Sequence, residues 1–347
     1  MSETQDVLLE TRGALGRIRL NRPKAINSLS LPMILAVESA LDRFESDPSI
    51  GLVLVTGEGE RGLCAGGDIR VLYENGREKM AESLAFFRNE YRMNAHIARY
   101  PKPYAAIMDG ITMGGGVGIS AYGRIRIVTE RTKMAMPETG IGFFPDVGGT
   151  WLLSRAPGEI GTFMGLTGEA FGGADAIYAG LADFYVPSET LTGLIEALAA
   201  LPVTAAEASE TVKKFAQTVP PPLAAHQEEI DRAFAFDRVE EIIAALRASP
   251  TPFAAETLKI MGRKCPRSMK VTLELLRLAR QDTTLEQSLQ REFDAVHAVL
   301  ASDDFYEGVR AAVVDKDRNP QWSPARLEDV TPAMVEAYMK PAGDSLF

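Results

Sequence analysis

The stretch KPYAAIMDGITMGGGVGIS, residues 102–120, predicts a buried strand that leads through a glycine-rich loop into a short helix. Residues 104–108 are almost wholly apolar, as in a strand that is covered on both faces. The loop that follows, residues 113–118, contains glycines, which permit positive φ angles and a close approach of a ligand to the backbone. The next strand begins near residue 124, so only a short helix fits between them. This order of elements is typical of an α/β fold.

The alternation of strands and helices extends over about the first 190 residues. Residues 14–20, 51–56 and 125–128 are predicted strands, and we expect them to be parallel. Residues 29–45 are a predicted helix, with Ser30 as its N-cap and Pro32 in its first turn.

The pattern is almost wholly helical from about residue 205 onward, with helices predicted at 233–248, 268–280 and 285–300. The sequence VPPP, residues 219–222, is typical of a connector or hinge. We therefore predict a core over residues 1–204 that contains the active site, and a helical C-terminal region over residues 205–347 that covers it.

Composition excludes several classes of protein. The 347 residues are 46% hydrophobic and 24% charged, as in a globular protein with a sizeable core, and the net charge of −10 disfavours nucleic acid as a partner. Cys64 and Cys265 stand alone, without the spacing of a disulfide framework or a metal site. Residues 1–10 are acidic and polar, no apolar run is long enough for a membrane span, and we expect a cytoplasmic location with no membrane partner.

A second glycine loop, CAGGD at residues 64–68, follows the predicted strand at 51–56. Two such loops that converge can point two backbone N–H groups at one carbonyl oxygen, which is an oxyanion hole. Their alternative role is a tight turn with close packing of a helix on a sheet. The dinucleotide fingerprint GxGxxA also occurs at residues 116–121, but the helix is too short and the acid Glu130 comes too early for that role.

Two acids lie in a loop that offers them little water. In AMPETGIGFFPDVGGT, residues 135–150, Glu138 and Asp146 stand eight residues apart, and Phe143 and Phe144 lie between them. A buried carboxylate needs compensating partners or acquires a raised pKa. The two acids are therefore either solvated loop residues or helix caps, or a buried acid–base pair.

Taken together, LNRPKAIN (residues 20–27), LCAGGDI (63–69), the stretch 102–120 and the stretch 135–150 resemble the crotonase (enoyl-CoA hydratase/isomerase) superfamily. The resemblance covers about residues 15–186 and implies an α/β fold made of a spiral of ββα turns, followed by a helical C-terminal region. It also implies that the amides of Gly67 and Gly115 hold the carbonyl oxygen of an acyl-CoA thioester. The residues expected to contact coenzyme A are Lys24, Ala25, Asn27, Ala65, Gly66 and Asp68.

The resemblance further implies which residues act on the acyl group. Glu138 would attack the thioester to form an anhydride, or would activate the attacking water, and these two routes stay open. Asp146 would orient the water or the substrate hydroxyl, and Glu90 would be a polar contact to the acyl group. The substrate-binding set is therefore Glu90, Gly115, Glu138 and Asp146. Coenzyme A enters as part of the substrate, and no other cofactor and no metal is expected.

One departure from the family pattern affects which reaction the sequence predicts. Hydratases of this family place a second glutamate twenty residues before the one that matches Glu138, and that position here is Gly118. Addition of water to a double bond needs two proton-handling groups. Thioester hydrolysis needs less, because a thiol of pKa about 8.5 leaves with little proton assistance.

Three features resemble one branch of this family: GITMGGGVG, the spacing PET…FPDVGG and the C-terminal stretch FYEGVRAAVVDKDRNPQW (305–322). The resemblance to that branch implies hydrolysis of 3-hydroxyisobutyryl-CoA, or of 3-hydroxypropionyl-CoA, in valine breakdown. Two alternatives stay open. One is an enoyl-CoA isomerase or hydratase, because a single glutamate can move a proton between carbons. The other is a catalytically silent scaffold, which the retained acid pair disfavours. The family allows a homo-oligomer through the C-terminal helices and gives no subunit number.

Overall fold

The computed structural model describes residues 5–202 and 204–347. The chain divides into two compact units. We call the first the sheet unit; it comprises the described parts of residues 1–67, 92–135 and 171–222. We call the second the helical unit; it comprises residues 68–91, 136–170 and 223–347.

All strands in the described part of the chain belong to the sheet unit and form two sheets. The larger sheet has the order β1-β2-β3-β5-β7-β9 and the smaller has the order β4-β6-β8. The strands are β1 (Val7–Arg12), β2 (Leu15–Leu20), β3 (Leu52–Gly57), β4 (Gly62–Cys64), β5 (Tyr104–Met108), β6 (Ile111–Met113), β7 (Ile125–Val128), β8 (Lys133–Ala135) and β9 (Phe184–Tyr185).

Successive strand pairs repeat one geometric unit. From β3 to β8, the first strand of each pair enters the larger sheet and the second enters the smaller one. Neighbouring strands are parallel in both sheets, except that β1 and β2 are antiparallel. The predicted spiral of ββα turns is therefore confirmed. The predicted strands 104–108 and 125–128 have the observed bounds, the one at 14–20 begins one residue later, and the one at 51–56 is shifted by one residue at both ends.

The apolar runs that predicted the strands form the core of the sheet unit. β3 and β5 are buried along nearly their whole length, as expected of strands that are covered on both faces. The first helix, Leu31–Ser46, begins where its sequence indicates, because the Ser30 side chain accepts a hydrogen bond from the backbone N–H of Met33. The buried core cluster consists of Leu15, Leu52, Leu54, Ala105, Ile107, Ile125, Ile127, Val186, Leu194, Leu198, Ala208 and Val212.

Helices complete both units, and every described element after residue 205 is helical, as predicted. The α-helices are α1 (Leu31–Ser46), α2 (Ile69–Asn75), α3 (Met80–Arg99), α4 (Gly115–Gly118), α5 (Gly149–Leu153), α6 (Ile160–Thr167), α7 (Gly173–Tyr178), α8 (Leu191–Ala199), α9 (Ala205–Lys213), α10 (Gln227–Phe234), α11 (Val239–Ala248), α12 (Pro252–Met261), α13 (Pro266–Ala279), α14 (Leu285–Ala301), α15 (Asp303–Val309) and α16 (Pro332–Glu336). Within the described residues, no helix combines the length and the apolar character that crossing a lipid bilayer requires.

The prediction of one helix over residues 233–248 was wrong. The helix α10 ends at Phe234, and α11 begins at Val239. The Arg277 guanidinium donates to the carbonyl oxygens of Phe234 (2.8 Å) and Phe236 (2.9 Å). These carbonyls are satisfied by a side chain from α13, and the helix ends there.

The two compact units interleave along the chain, whereas the predicted boundary at residues 204 and 205 divides it by secondary-structure content. That boundary stays a prediction. The VPPP stretch does coincide with a transition, because the last segment of the sheet unit ends at Pro222 and the helical unit resumes at residue 223.

Candidate active site

The two glycine loops meet inside the sheet unit. A Cβ atom at Gly116 would lie 2.4 Å from the carbonyl oxygen of Cys64, which is closer than real Cβ atoms come to any atom. Gly66 has a φ of +105°, and a Cβ there would lie 3.7 Å from the backbone nitrogen of Gly115. Only glycine allows this approach, so the close packing offered as the alternative role is present. Such packing also brings the predicted oxyanion loops side by side.

Gly115 stands at the position that an oxyanion donor would need. It is the first residue of α4, so its N–H has no acceptor within the helix. The N–H of the preceding Gly114 is already used, because it donates to the carbonyl of Ala135 at 3.2 Å. The roles of Gly115 and Gly67 in binding an oxyanion stay predictions.

Five of the six residues predicted to contact coenzyme A lie in the sheet unit. The N–H of Ala65 donates to the carbonyl of Ile26 (2.9 Å), so the segment of Lys24 and Ala25 lies beside the glycine loop. Lys24 is exposed, and Ala25 and Ala65 are half-buried. Gly66 lies in the same loop and is buried, and Asp68 is the N-cap residue of α2 in the helical unit.

The side-chain amide of Asn27 is hydrogen-bonded to the backbone through both its oxygen and its nitrogen. Its Oδ1 accepts from the N–H of Arg22 (2.9 Å), and its Nδ2 donates to the carbonyls of Glu58 (3.0 Å) and Gly62 (3.1 Å). The amide is fully buried. A contact of Asn27 with coenzyme A, if the prediction holds, therefore involves its main chain.

Three predicted acids are buried in the helical unit. Glu90 is 2% exposed, and Glu138 and Asp146 are each 6% exposed. Oε1 of Glu90 and Oε2 of Glu138 have no hydrogen-bond partner among the described residues. Glu138 and Asp146 are therefore not solvated loop acids, and Glu90 is not exposed to solvent either. Buried carboxyl oxygens without partners are unusual and need an explanation.

The turn that carries Glu138 is fixed by its neighbours. Glu138 begins a 3-10 turn, Glu138–Ile141, which ends at Gly142 with a φ of +74°. A Cβ at Gly142 would lie 2.2 Å from the carbonyl oxygen of Asp304, so glycine is required where α15 packs against this loop. The Glu138 carbonyl accepts from the N–H of Phe143 at 3.0 Å. These contacts hold the backbone of the acid in place.

Asp146 lies at the start of a strained turn. The N–H of Gly149 donates to the Asp146 carbonyl at 2.6 Å, and both residues between them have positive φ: +54° for Val147 and +74° for Gly148. A β-branched residue with positive φ is a clear outlier and persists only where surrounding contacts impose it. Glu292 supplies hydrogen bonds to this turn, and Tyr91 binds the side chain of Asp146 at its start.

Tyr91 binds the carboxyl group of Asp146 directly, because its hydroxyl donates to Oδ2 at 2.8 Å. Glu292 on α14 binds the following turn, where its carboxylate accepts from the N–H groups of Gly148 (2.6 Å) and Thr150 (3.0 Å). Neither residue was predicted. A signal existed for Glu292, because it occupies a position on the apolar stripe of α14, three residues after Leu289.

The electrostatics of the cluster follow from burial. Burial raises the pKa of Glu138 and of Glu90 well above their usual values, and the negative charge of Asp146 raises both further. Burial raises the pKa of Asp146 to about 7, although the hydrogen bond from Tyr91 opposes the change. The Asp146 carboxyl therefore exchanges a proton near neutral pH, which suits general acid–base chemistry, and Glu138 and Glu90 keep their protons to a higher pH than ordinary glutamates do.

Aromatic rings line the surroundings of this cluster. Phe143 stacks on Phe144 with a centroid distance of 4.7 Å and on Phe87 at 5.5 Å. Phe143 and Phe144 are both buried. An apolar wall excludes water and strengthens electrostatic interactions within it.

The chain is similar to known proteins over nearly its whole length. A family model described as "Enoyl-CoA hydratase/isomerase" matches residues 15–339. Among curated relatives, the mitochondrial 3-hydroxyisobutyryl-CoA hydrolase of Rattus norvegicus is 43% identical, covering 99% of this chain and 90% of the relative. The protein of the same name from Homo sapiens is 41% identical, covering 98% and 90%.

Solved structures match over the full chain but have different names. A carnitinyl-CoA dehydratase from Mycobacterium thermoresistibile is 47% identical with a TM-score of 0.94, and 99% of each chain is covered. An enoyl-CoA hydratase from Rhodobacter sphaeroides is 42% identical with a TM-score of 0.90, and 98% of each chain is covered. The predicted fold class is therefore confirmed, and the chain belongs to the enoyl-CoA hydratase/isomerase family.

Proposed function

We propose that this protein hydrolyses the thioester of 3-hydroxyisobutyryl-CoA to the free 3-hydroxy acid and coenzyme A. The observation that carries the proposal is the buried pair Glu138 and Asp146, whose pKa values are both raised. Curated hydrolases of that name align with nearly the whole chain at 41–43% identity, which supports the same reaction.

The proposed mechanism assigns one step to each group. The amides of Gly67 and Gly115 would stabilise the oxyanion that forms when the thioester carbonyl is attacked, a contribution of about 3–4 kcal/mol per donor in a measured case. Glu138 would supply the attack, Asp146 would orient the water or the substrate hydroxyl, and Glu90 would contact the acyl group. The C–S bond then breaks, and coenzyme A leaves as a thiolate.

Two routes fit these roles. In one, the Glu138 carboxylate attacks the carbonyl carbon and forms an anhydride, which water then cleaves. In the other, Glu138 removes a proton from the attacking water. Trapping with hydroxylamine during turnover separates them: a hydroxamate on the peptide that contains Glu138 indicates the anhydride, and an unmodified peptide favours the general-base route.

The names of the two similar solved proteins favour a second candidate, an enoyl-CoA hydratase or dehydratase. Against it stands Gly118, which is buried in α4 and offers no proton-transfer group where the hydratases of the family have glutamate. An isomerase with one glutamate stays compatible with Gly118. A silent scaffold is disfavoured by the buried acids, because carboxyls without a function are costly to bury.

The deciding experiment measures free thiol and product identity for 3-hydroxyacyl, saturated and 2-enoyl thioesters of coenzyme A. We expect rapid thiol release from 3-hydroxyisobutyryl-CoA. Discrimination against 3-hydroxypropionyl-CoA should be modest, because one methyl group is worth about 1–3 kcal/mol. Conversion of a 2-enoyl thioester without thiol release would reject hydrolysis and favour the second candidate.

The cellular setting is part of the proposal. We propose a role in valine breakdown, a cytoplasmic location, no cofactor other than the coenzyme A of the substrate, and C-terminal helices that cover the site and support a homo-oligomer. The vertebrate relatives are named mitochondrial, so fractionation of the native cells tests the location. Light scattering of the purified protein tests the oligomer.

A further inference from the structure

Glu292 is a fully buried acid that the proposed mechanism does not use. Its Oε2 accepts from the N–H of Gly148 at 2.6 Å, and its Oε1 accepts from the N–H of Thr150 at 3.0 Å and from the Thr150 hydroxyl. One carboxyl group therefore satisfies three donors that stand two to four residues after Asp146. Burial raises the pKa of Glu292 to about 8, although the hydrogen bonds from Thr150 and Gly148 oppose the change.

These bonds fall on the strained part of the turn. Gly148 has a positive φ, which glycine adopts freely, but the preceding Val147 also has a positive φ, which a β-branched residue keeps only where surrounding contacts support it. Without its acceptors, the turn could relax and rotate the side chain of Asp146 away from its observed place. An aliphatic residue at position 292 would fill the stripe of α14 equally well, but would leave two buried backbone N–H groups without partners.

The same helix supports Asp146 by a second path. The ring of Phe293, next to Glu292 on α14, packs edge-on against the ring of Tyr91 with a centroid distance of 6.3 Å. The Tyr91 hydroxyl binds the Asp146 carboxyl. Glu292 therefore binds the backbone turn that follows Asp146, and the adjacent Phe293 packs against the tyrosine that binds the Asp146 carboxyl group.

We propose that Glu292 is a positioning residue, which holds the turn 146–149 so that Asp146 has the orientation that hydrolysis requires. The proposal rests on the proposed function for its catalytic consequence. Its structural part, that the Glu292 carboxyl holds the turn, stands on the hydrogen bonds alone.

The first test is Glu292→Gln, with Val299→Ala as the matched control. Glutamine keeps one acceptor but presents an amide N–H₂ to the other backbone donor. Val299 is buried on the same helix, so its truncation destabilises the core without removing a bond to the turn. We expect E292Q to lower kcat by about 10- to 100-fold, with KM changed less than about threefold. V299A should lower the Tm and leave kcat of the folded enzyme within about twofold.

Two further readouts separate positioning from simple destabilisation. Hydrogen exchange in the peptide that covers residues 146–150 should accelerate in E292Q and not in V299A. In the background of Asp146→Asn, E292Q should reduce the residual rate by less than about twofold, because residues that act as one unit give non-additive effects. If E292Q does not fold, Thr150→Val removes only the hydroxyl donor, and we expect a several-fold smaller kcat at unchanged KM.

Normal kcat in folded E292Q, exchange at 146–150 that is unchanged, or full additivity with D146N would each overturn the proposal. Thiol release that is absent from the wild-type enzyme rejects the proposed function instead. In that case the exchange measurement still decides whether Glu292 holds the turn.

Discussion

The hydroxyl of Tyr91 donates a 2.8 Å hydrogen bond to Oδ2 of Asp146, and both groups are buried. Burial and the nearby negative charge of Asp146 raise the pKa of Tyr91 well above its usual value, so the phenol stays protonated and can only donate here. The bond lowers the pKa of Asp146 against the opposing effect of burial. Tyr91 therefore sets both the direction and the acidity of this carboxyl group.

Tyr91→Phe should weaken the reaction without removing it. The variant loses a hydrogen bond to a charged group, which is worth about 1.5–3 kcal/mol, so we expect kcat to fall by about 10- to 100-fold. The pKa of Asp146 should rise above about 7, and the acidic limb of the pH–rate profile should shift to higher pH. An unchanged profile in a folded Y91F enzyme would show that this bond does not tune the reaction.

Glu138→Gln should abolish thiol release, because glutamine can neither attack a carbonyl carbon nor accept a proton from water. We expect a loss of about a thousandfold or more in kcat, as for other residues that supply attack. The matched control is Glu241→Gln, at an exposed acid on α11, which should keep full activity. Equal activity in E138Q and the wild type would remove Glu138 from the mechanism.

The dependence of kcat on pH should report the mutual repulsion of the acids. Burial and then the charge of Asp146 raise the pKa of Glu138, so the rate should fall as pH drops through a value well above 4.5. Asp146→Asn removes that charge and should move the acidic limb of the pH–rate profile to lower pH. A limb that stays in place, or moves to higher pH, contradicts the coupling between the two carboxyls.

The sequence predicted the sheet unit well for a physical reason. The central strands β3 and β5 are buried on both faces, so apolar runs such as residues 104–108 mark them directly. The glycines of the two loops were also readable, because a position such as Gly116 tolerates no Cβ. Such signals are local, and they need no knowledge of partners distant in sequence.

The partners of the acids could not be read in this way. Tyr91 and Glu292 reach Asp146 from elements that are 55 and more than 140 residues away along the chain. The positive φ of Val147 gave no sequence signal, because valine is among the residues least suited to that conformation. The break between α10 and α11 depends on Arg277 of a later helix, which local periodicity does not include.

Gly116→Ala tests whether the close approach of the glycine loops matters. A Cβ at this position would meet the Cys64 carbonyl at 2.4 Å, so the loops must move apart. We expect a loss of about 100-fold or more in kcat, the scale for losing one oxyanion donor, together with a lower Tm. The control is Gly193→Ala in α8, where the nearest atom would lie at 3.7 Å, and stability should be equal or higher. Full activity in G116A would argue against an oxyanion hole built from these loops.

The pH dependence of stability distinguishes a functional acid from a structural one. The pKa of Asp146 is about 7 in the folded protein, above the usual value of 3.8. The folded state therefore binds more protons than the unfolded state between these two pH values, and the free energy of unfolding should fall as pH rises across this window. Asp146→Asn removes this pH-dependent contribution to the free energy of unfolding. We expect D146N to be more stable than the wild type at pH 8, by on the order of 1–3 kcal/mol, and the difference to vanish near pH 4.

Chemical denaturation of both proteins across this pH range measures the effect, with thiol release assayed in parallel. Asparagine keeps an oxygen that can accept the bond from Tyr91, so the comparison isolates the charge. A more stable and inactive D146N would mean that the fold tolerates the buried charge of Asp146 at a cost in stability, as catalytic groups commonly require. A D146N protein that is less stable at every pH would show instead that the carboxylate supports the fold, and its assignment to catalysis would then be wrong.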